Sequence, residues 1–280
     1  MQGPQIGFLP DGRRMHLHHG PIDMIVDVTG PGRAIALRRA ATRFETVLDE
    51  LVRDLPRLRQ PNGDMPATPP ARRMVTATAP FAPTFITPMA AVAGAGADTI
   101  LEAICDGEGV TKAYVNNGGD IAFHLTGKQT VTAAVAAYPP ATVTVVAHDA
   151  TRGIATSGWR GRSHSLGIAD SVTVLARNAA AADAAATLIA NKVDLPDHAA
   201  ITRVPATDHA PDSDLGARLV TTAVGPLDPS DIAAALAAGA SYAQTLCDRG
   251  LIHAAYISLQ GATRVVGHLS LSQQKVPEHA

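Results

Sequence analysis

Between Ala34 and Leu55 the apolar residues Ile35, Leu37, Ala41, Phe44, Val47, Leu48, Leu51 and Leu55 recur at threes and fours among arginines and acids. That period predicts an amphipathic helix covering a sheet. Ahead of it, residues 15–28 read as strand, closed by a Gly30-Pro31-Gly32 turn. The Pro- and Gly-rich stretch 60–71 reads as an exposed loop, and no change of composition follows it, so the chain is expected to form a single domain over 1–280. Thr87 and Pro88 suit the cap and first position of a helix. Residues 89–104 carry Ala, Val and Gly on nearly every face, which predicts a buried helix that another backbone or a ligand can approach closely.

Strand signals follow at 113–115, 121–125, 130–138, 141–147 and 171–176. After them come an alanine-rich helix over 179–191, a polar connection over 194–214 and a helix from Ser230 to Gly239 or on to Cys247. A hairpin over 252–260 and 264–268 closes the chain. Helices and hairpin-like strands in mixed order predict an α+β fold, with helices packed on mixed or antiparallel sheets.

Composition narrows the function classes. The 280 residues hold 23 basic and 25 acidic side chains, so no broad charge footprint invites nucleic acid or an anionic membrane. A small molecule or a protein is the default partner. Cys105 and Cys247 lie far apart without CxxC spacing, which argues against a disulfide framework, a structural zinc site or an iron–sulfur cluster. The first residues lack a secretion-type apolar run and no later run is long and uninterrupted enough to span a bilayer, so a cytoplasmic protein is expected. The alanine- and glycine-rich helices leave a homodimer open.

Three segments could carry chemistry. In Val115-Asn116-Asn117-Gly118-Gly119-Asp120-Ile121, the two glycines let a backbone approach a ligand, and Asn and Asp can fix a heterocycle or a ribose. The same residues also suit an ordinary hairpin turn. Residues 153–165 concentrate hydroxyls (Thr156, Ser157), Arg160, Arg162, His164 and the chain's single tryptophan, as a phosphate- or carboxylate-binding loop would, or as a solvated turn would. On the third, Asp183 and Thr187 stand four apart on one helix face, a carboxylate and a hydroxyl suited to a hard cation such as magnesium. An Asp near a helix start also serves the helix dipole, and a Thr often bonds back to its own helix.

In this order the segments resemble the ApbE-like superfamily, the fold of FAD:protein FMN transferases, which carries a VNxGGDI strand end, an ATSG turn, an SVTV-type strand and an ADAxxT helix. Here these are residues 115–121, 155–158, 171–174 and 182–187. A bacterial and archaeal branch of that superfamily is more similar still, with HGPID, FITPMAAVAGA and YVNNGGDIA, found here at 19–23, 85–95 and 114–122. The resemblance implies one site joining 116–120 to 156–187. It would bind FAD or FMN through Thr87, Met89, Asn116, Asn117, Gly118, Gly119, Asp120, Thr156, Ser157, Arg160 and Arg162. Mg2+ would be held by Asp183 and Thr187, and His164 with Ser157 would supply the catalytic groups. The implied reaction passes FMN phosphate to a threonine of a partner flavoprotein. Alternatives are a flavin-binding accessory protein of a redox enzyme, and an enzyme acting on a small heterocyclic or carboxylate metabolite. Two departures bear on the choice. The transferases' GxxKG-type loop is replaced by the lysine-free 88–94, and their long His-containing stretch after TSG is compressed to 163–170.

His16 and His18 would share a strand face, but no acid or cysteine in the pattern completes a metal set, so they are expected to pack near an edge. His19 opens the HGPID segment and is placed nearer the pocket.

Overall fold

A computed structural model describes residues 3–135, 141–161 and 163–273. Its mixture of helices and antiparallel sheets is the expected α+β class. Cα proximity divides it into two compact units. One holds the chain up to Val131 with Val146–Ala155 and Ala176–Ala184; the other holds Thr132–Val145, Thr156–Leu175 and the chain from Ala185 on.

The first unit is built on the antiparallel strands β1 (Gln5–Phe8), β2 (Met15–His19), β3 (Ile22–Thr29), β4 (Lys112–Asn117) and β5 (Asp120–Leu125). The stretch expected as one strand over 15–28 is thus two, folded back at Gly20. Alternation is strict: Met15, Leu17, Ile22, Met24, Val26, Val28, Ala113 and Val115 are buried while their neighbours are not. Helix α1 (Arg33–Leu58) covers β2 and β3. Ala36 and Ala40 line its buried stripe with Leu37, Phe44, Val47, Leu48 and Leu51, whereas Ile35 is 54% exposed. The expected turn before α1 is present: Gly30 takes φ 125°, and a side chain there would lie 2.2 Å from the Gly109 carbonyl oxygen.

Early in the chain, edge strand β1 and helix α2 (Pro69–Thr78) escaped the sequence pattern; α2 takes the end of the supposed 60–71 loop, with Pro70 and Ala71 already buried. Residues 60–65 do form an exposed loop, held by Arg57, whose guanidinium donates to the carbonyl oxygens of Gln60, Gly63 and Asp64. The buried helix expected over 89–104 is a 3₁₀ turn, Pro88–Ala91, running into α3 (Val92–Cys105), which packs on β4 and β5. Arg39 of α1 donates to the carbonyl oxygens of Ala103 and Ile104 at 2.8 and 2.6 Å and so closes the end of α3. Contrary to the expectation that no run is long enough, Pro88–Cys105 has the length and hydropathy of a bilayer span. More than half of it, 56%, is buried inside the fold, as in a core helix.

After β6 (Thr130–Val135) and β7 (Ala141–Val146), the chain reaches β8 (Gly153–Ser157), whose Gly153 and Ile154 pair with β5. Sequence reading treated 153–157 as part of a loop. Its glycine marks a close approach: a Cβ on Gly153 would lie 2.0 Å from the Asn178 carbonyl carbon. The strand expected over 130–138 is described as far as Val135; the rest lies outside the described residues.

In the second unit, β9 (Ser171–Ala176) pairs with β12 (Ala254–Leu259), and β12 with β13 (Ala262–Gly267), all antiparallel. Every residue of β9 and of β12 is buried. Helix α4 (Ala179–Lys192) begins in the first unit and ends in this one. The connection expected over 194–214 contains β10 (Ile201–Pro205) and the single turn α5 (Ala206–His209); β10 pairs with β11 (Leu219–Val224). Helix α6 (Pro229–Asp248), longer than the shortest expectation, packs on β12 and β13. A small sheet places β7 between β6 and β14 (Leu271–Gln273).

Candidate functional site

In the first unit the 116–120 segment is the tight turn joining β4 to β5. Gly118 and Gly119 have φ of 65° and 114°, conformations that cost glycine nothing, and Asn117 faces Asp120 as the closing pair. The Asn116 Oδ1 accepts the Gly119 amide at 2.9 Å. The buried Asn117 donates Nδ2 to the Ala93 carbonyl oxygen at 2.9 Å, which fastens the turn to the start of α3. Both glycines are exposed, and nothing lies within 4 Å of a Cβ placed on Gly119. The arrangement therefore satisfies the ordinary hairpin reading and still leaves glycine backbone open to an approaching ligand.

The starts of α3 and α4 are clasped reciprocally. From α4, Asp183 accepts the Gly94 amide on Oδ2 at 3.0 Å. From α3, Asp98 accepts the Ala179 and Ala180 amides on its two oxygens at 3.0 and 2.9 Å, and Asn178 Oδ1 takes Ala181 N–H at 2.8 Å. The first three amides of α4, which have no intrahelical partner, are all satisfied by side chains. Close approach makes this possible: a Cβ on Gly94 would stand 2.3 Å from the Ala179 carbonyl oxygen.

The carboxylates of this cluster resist ionisation. Burial, the nearby Asp120 carboxylate and, less strongly, Asp98 push Asp183 well above the usual carboxylate range, against the lowering effect of the Gly94 and Ala93 amides. Burial also raises Asp98, opposed by its two helix amides. Asp183 nonetheless keeps part of its surface open to solvent. Of the other expected residues of this unit, Thr87 is buried and extended ahead of the 3₁₀ turn, and Met89 is half-buried within that turn. Thr187 is half-buried, one turn beyond Asp183 along α4.

In the second unit, Thr156 and Ser157 end β8, and Thr156 Oγ1 lies 2.8 Å from Thr173 Oγ1. The loop beyond is organised by Asp170, which accepts from Trp159 Nε1 at 3.3 Å, Arg160 Nε at 2.7 Å and the Gln260 amide at 2.6 Å. Arg160 also lies over the Trp159 ring, 4.6 Å from its centroid. Expected as a ligand contact, Arg160 is thus engaged within the protein. Asp170→Ala is expected to cost roughly 1–3 kcal/mol by stranding the indole and Gln260 donors. Because Trp159 is the only tryptophan, its emission should shift to the red as melting is followed; an unchanged spectrum would count against Asp170 as organiser. His164 is exposed, its ring 5.6 Å from that of His209. Arg162 lies outside the described residues.

His16 and His18 do find an acid that sequence spacing could not show. Strand register sets His18 opposite Asp23, whose Oδ1 is 2.8 Å from His16 Nε2 and whose Oδ2 is 3.9 Å from His18 Nδ1. Among the described residues, however, no group of three or more His, Cys, Asp or Glu is arranged to hold a metal ion. His19 is buried edge-on to Phe44. A groove of about 540 Å³ beside α2, lined by Arg57, Val75, Thr78, Phe85 and Ile86, includes none of the expected site residues.

Sequence reading missed Asp98. The available signal was a lone acid inside the largely apolar 89–100 run, where a buried carboxylate needs donors.

A family model described as AbpE bacteria matches residues 6–265. The chain belongs to this family of the ApbE-like superfamily. Three curated relatives, each described as a UPF0280 protein, are similar over part of it. The protein from Methanothrix thermoacetophila is 39% identical over 131 residues, 45% of this chain and 53% of that one. That from Methanothermobacter thermautotrophicus is 41% identical over 113 residues, 39% of this chain and 44% of that one. That from Archaeoglobus fulgidus is 40% identical over 107 residues, 38% and 44%. The chain spans about half the length of these relatives. Among solved structures, it is similar to the apo form of Pseudomonas stutzeri flavinyl transferase ApbE at 12% identity and a TM-score of 0.49, covering 95% of both chains.

Proposed function

We propose that this ApbE-like protein binds a flavin nucleotide and, with Mg2+, transfers the FMN moiety of FAD to a hydroxyl of a partner protein in the cytoplasm. The observation that carries the reading is the pairing of Asp183 with Asp120 where α3 and α4 begin, beside the Gly118-Gly119 turn.

The cluster suits magnesium. It offers hard oxygen donors, and one or two carboxylates suffice for an ion that keeps several waters. The Asp120 carboxylate raises the proton affinity of Asp183, which marks a place short of positive charge. Asp183 is the principal ligand in this reading, with Thr187 one turn further along the same helix and Asp120 as its acidic neighbour. When bound, Mg2+ neutralises charge on phosphate oxygens. The Asn116 and Asn117 bonds hold the glycine turn rigid, so that its backbone is already shaped for a nucleotide. Thr87 and Met89, at the 3₁₀ turn ahead of α3, are proposed as further flavin contacts. Thr156 and Ser157 are proposed as nucleotide contacts, with His164 accepting the proton of the attacking hydroxyl and Ser157 as the other catalytic candidate.

One observation favours a second reading. With no lysine in 88–94 and Arg160 engaged by Asp170, cationic phosphate contacts are fewer than transfer calls for. A protein that holds flavin for a partner redox enzyme without cleaving it fits that economy.

Incubation with FAD, Mg2+ and an acceptor protein separates the readings. Transfer yields AMP and protein-bound flavin resistant to denaturation. Flavin binding without AMP selects the accessory role. Absence of FAD binding with and without Mg2+ overturns both and leaves a small heterocyclic or carboxylate metabolite as the ligand.

A further inference from the structure

We infer that Asp98 is a positioning residue for the cation site, setting the placement of Asp183 by anchoring the first turn of α4 to α3; this rests on the metal reading above. Asp98 has no place in the chemistry as described. It is nevertheless a buried carboxylate whose two oxygens are both spent on another helix, on the Ala179 and Ala180 amides. Those amides lie three and four residues before Asp183, so the bonds fix the start of the same helical turn that carries the ligand. From the other side, Asp183 holds the Gly94 amide, four residues before Asp98. Each acid thus sits about one turn from the amides that the other acid holds.

This reciprocity distinguishes Asp98 from an ordinary helix cap. A cap from the preceding chain, such as Asn178, fixes where α4 starts but not where it lies against α3. Asp98 fixes the second property, because its own helix carries Gly94 at its start and is fastened through the Ala93 carbonyl to Asn117 beside Asp120. Asp183 and Asp120 are therefore positioned through one helix, α3, and Asp98 is its link to α4.

Asp98→Asn retains one acceptor oxygen for the two amides, and Asp98→Ala retains none. Mg2+ affinity is read by calorimetry and amide exchange at 179–181 by mass spectrometry on the metal-free protein, neither depending on turnover. Mg2+ affinity is expected to fall about 10–100-fold in Asp98→Asn, with faster exchange at Ala179 and Ala180 and a change in melting temperature of only a few degrees. Asp98→Ala should fall further on both readouts. If it does not fold, Asp98→Glu serves, since its acceptors are displaced by one methylene and should likewise weaken Mg2+. Faster exchange with wild-type Mg2+ affinity would overturn the inference, because a purely structural acid would produce just that. Failure of the wild-type protein itself to bind Mg2+ would instead remove the metal reading on which it rests.

Discussion

Asp183→Asn should bind Mg2+ about 100-fold or more weakly than the unaltered chain and lose any AMP release in proportion. A carboxylate that neutralises a divalent cation contributes several kcal/mol at such a centre, and about 3 kcal/mol corresponds to about 100-fold. The amide is nearly isosteric and keeps an oxygen for the Gly94 amide, so the α3 contact survives. A pH signature accompanies the loss. Burial and Asp120 raise the Asp183 carboxyl in the folded state above its unfolded value. Its contribution to stability is therefore complete below the ordinary carboxylate range and is lost as pH rises through the raised folded value. Without metal, the melting temperature should fall across that window, and Asp183→Asn should flatten part of the fall. Mg2+ must displace a proton from this cluster, so wild-type affinity should grow with pH over the same window. Titration of Mg2+ by calorimetry at several pH values checks both claims; equal affinity in the two proteins would sink the assignment.

Gly94→Ala should damage the cluster severely for a one-methyl change. The added carbon would stand 2.3 Å from the Ala179 carbonyl oxygen and 2.5 Å from its carbon, with backbone rather than a movable side chain in the way. Overpacking of this kind costs about 3 kcal/mol or more at its upper range, which lowers the melting temperature by roughly 6–12 °C for a chain of this order of size. The helices can relieve the clash only by separating, which pulls the Gly94 amide from Asp183. Mg2+ affinity should consequently fall as well. Gly7→Ala is the control, since nothing lies within 4 Å of the added carbon and the backbone needs no positive φ. Equal melting temperatures for the two alanine variants would show that the contact is not tight.

Much of this was legible in the sequence, for reasons that differ by element. The α1 stripe was readable because a long amphipathic helix writes its period many times over, although Ala36 and Ala40 take the buried places expected of Ile35 and Ala41. The 116–120 turn was readable because two consecutive positive φ angles nearly require glycine. Helix α2 was hidden by the prolines that open it, which resemble loop residues until their place at a helix start is considered. β8 was hidden because Gly153 is small for tertiary reasons, to pass beneath the Asn178 backbone, and looks like turn punctuation. An arginine in a glycine-rich loop suggests an anion, and the sequence could not show that Arg160 also has a partner in Asp170, ten residues on. Asp98 was visible only as an acid in a largely apolar run, because its partners are backbone amides, which carry no sequence signature.

The helix clasp also fixes when the carboxylate cluster can form. Gly94 and Asp183 are 89 residues apart in the chain, and Asp98 and Ala179 are 81 apart. Closing loops of that length spends chain entropy before any of these bonds returns it. On a ribosome, α3 emerges well before α4, so until the intervening chain has been made Asp98 has no amides to hold and Asp120 has no second carboxylate beside it. The proposed cation site would therefore be a product of completed tertiary folding, and a chain stalled or truncated before α4 is expected to show no divalent affinity from it.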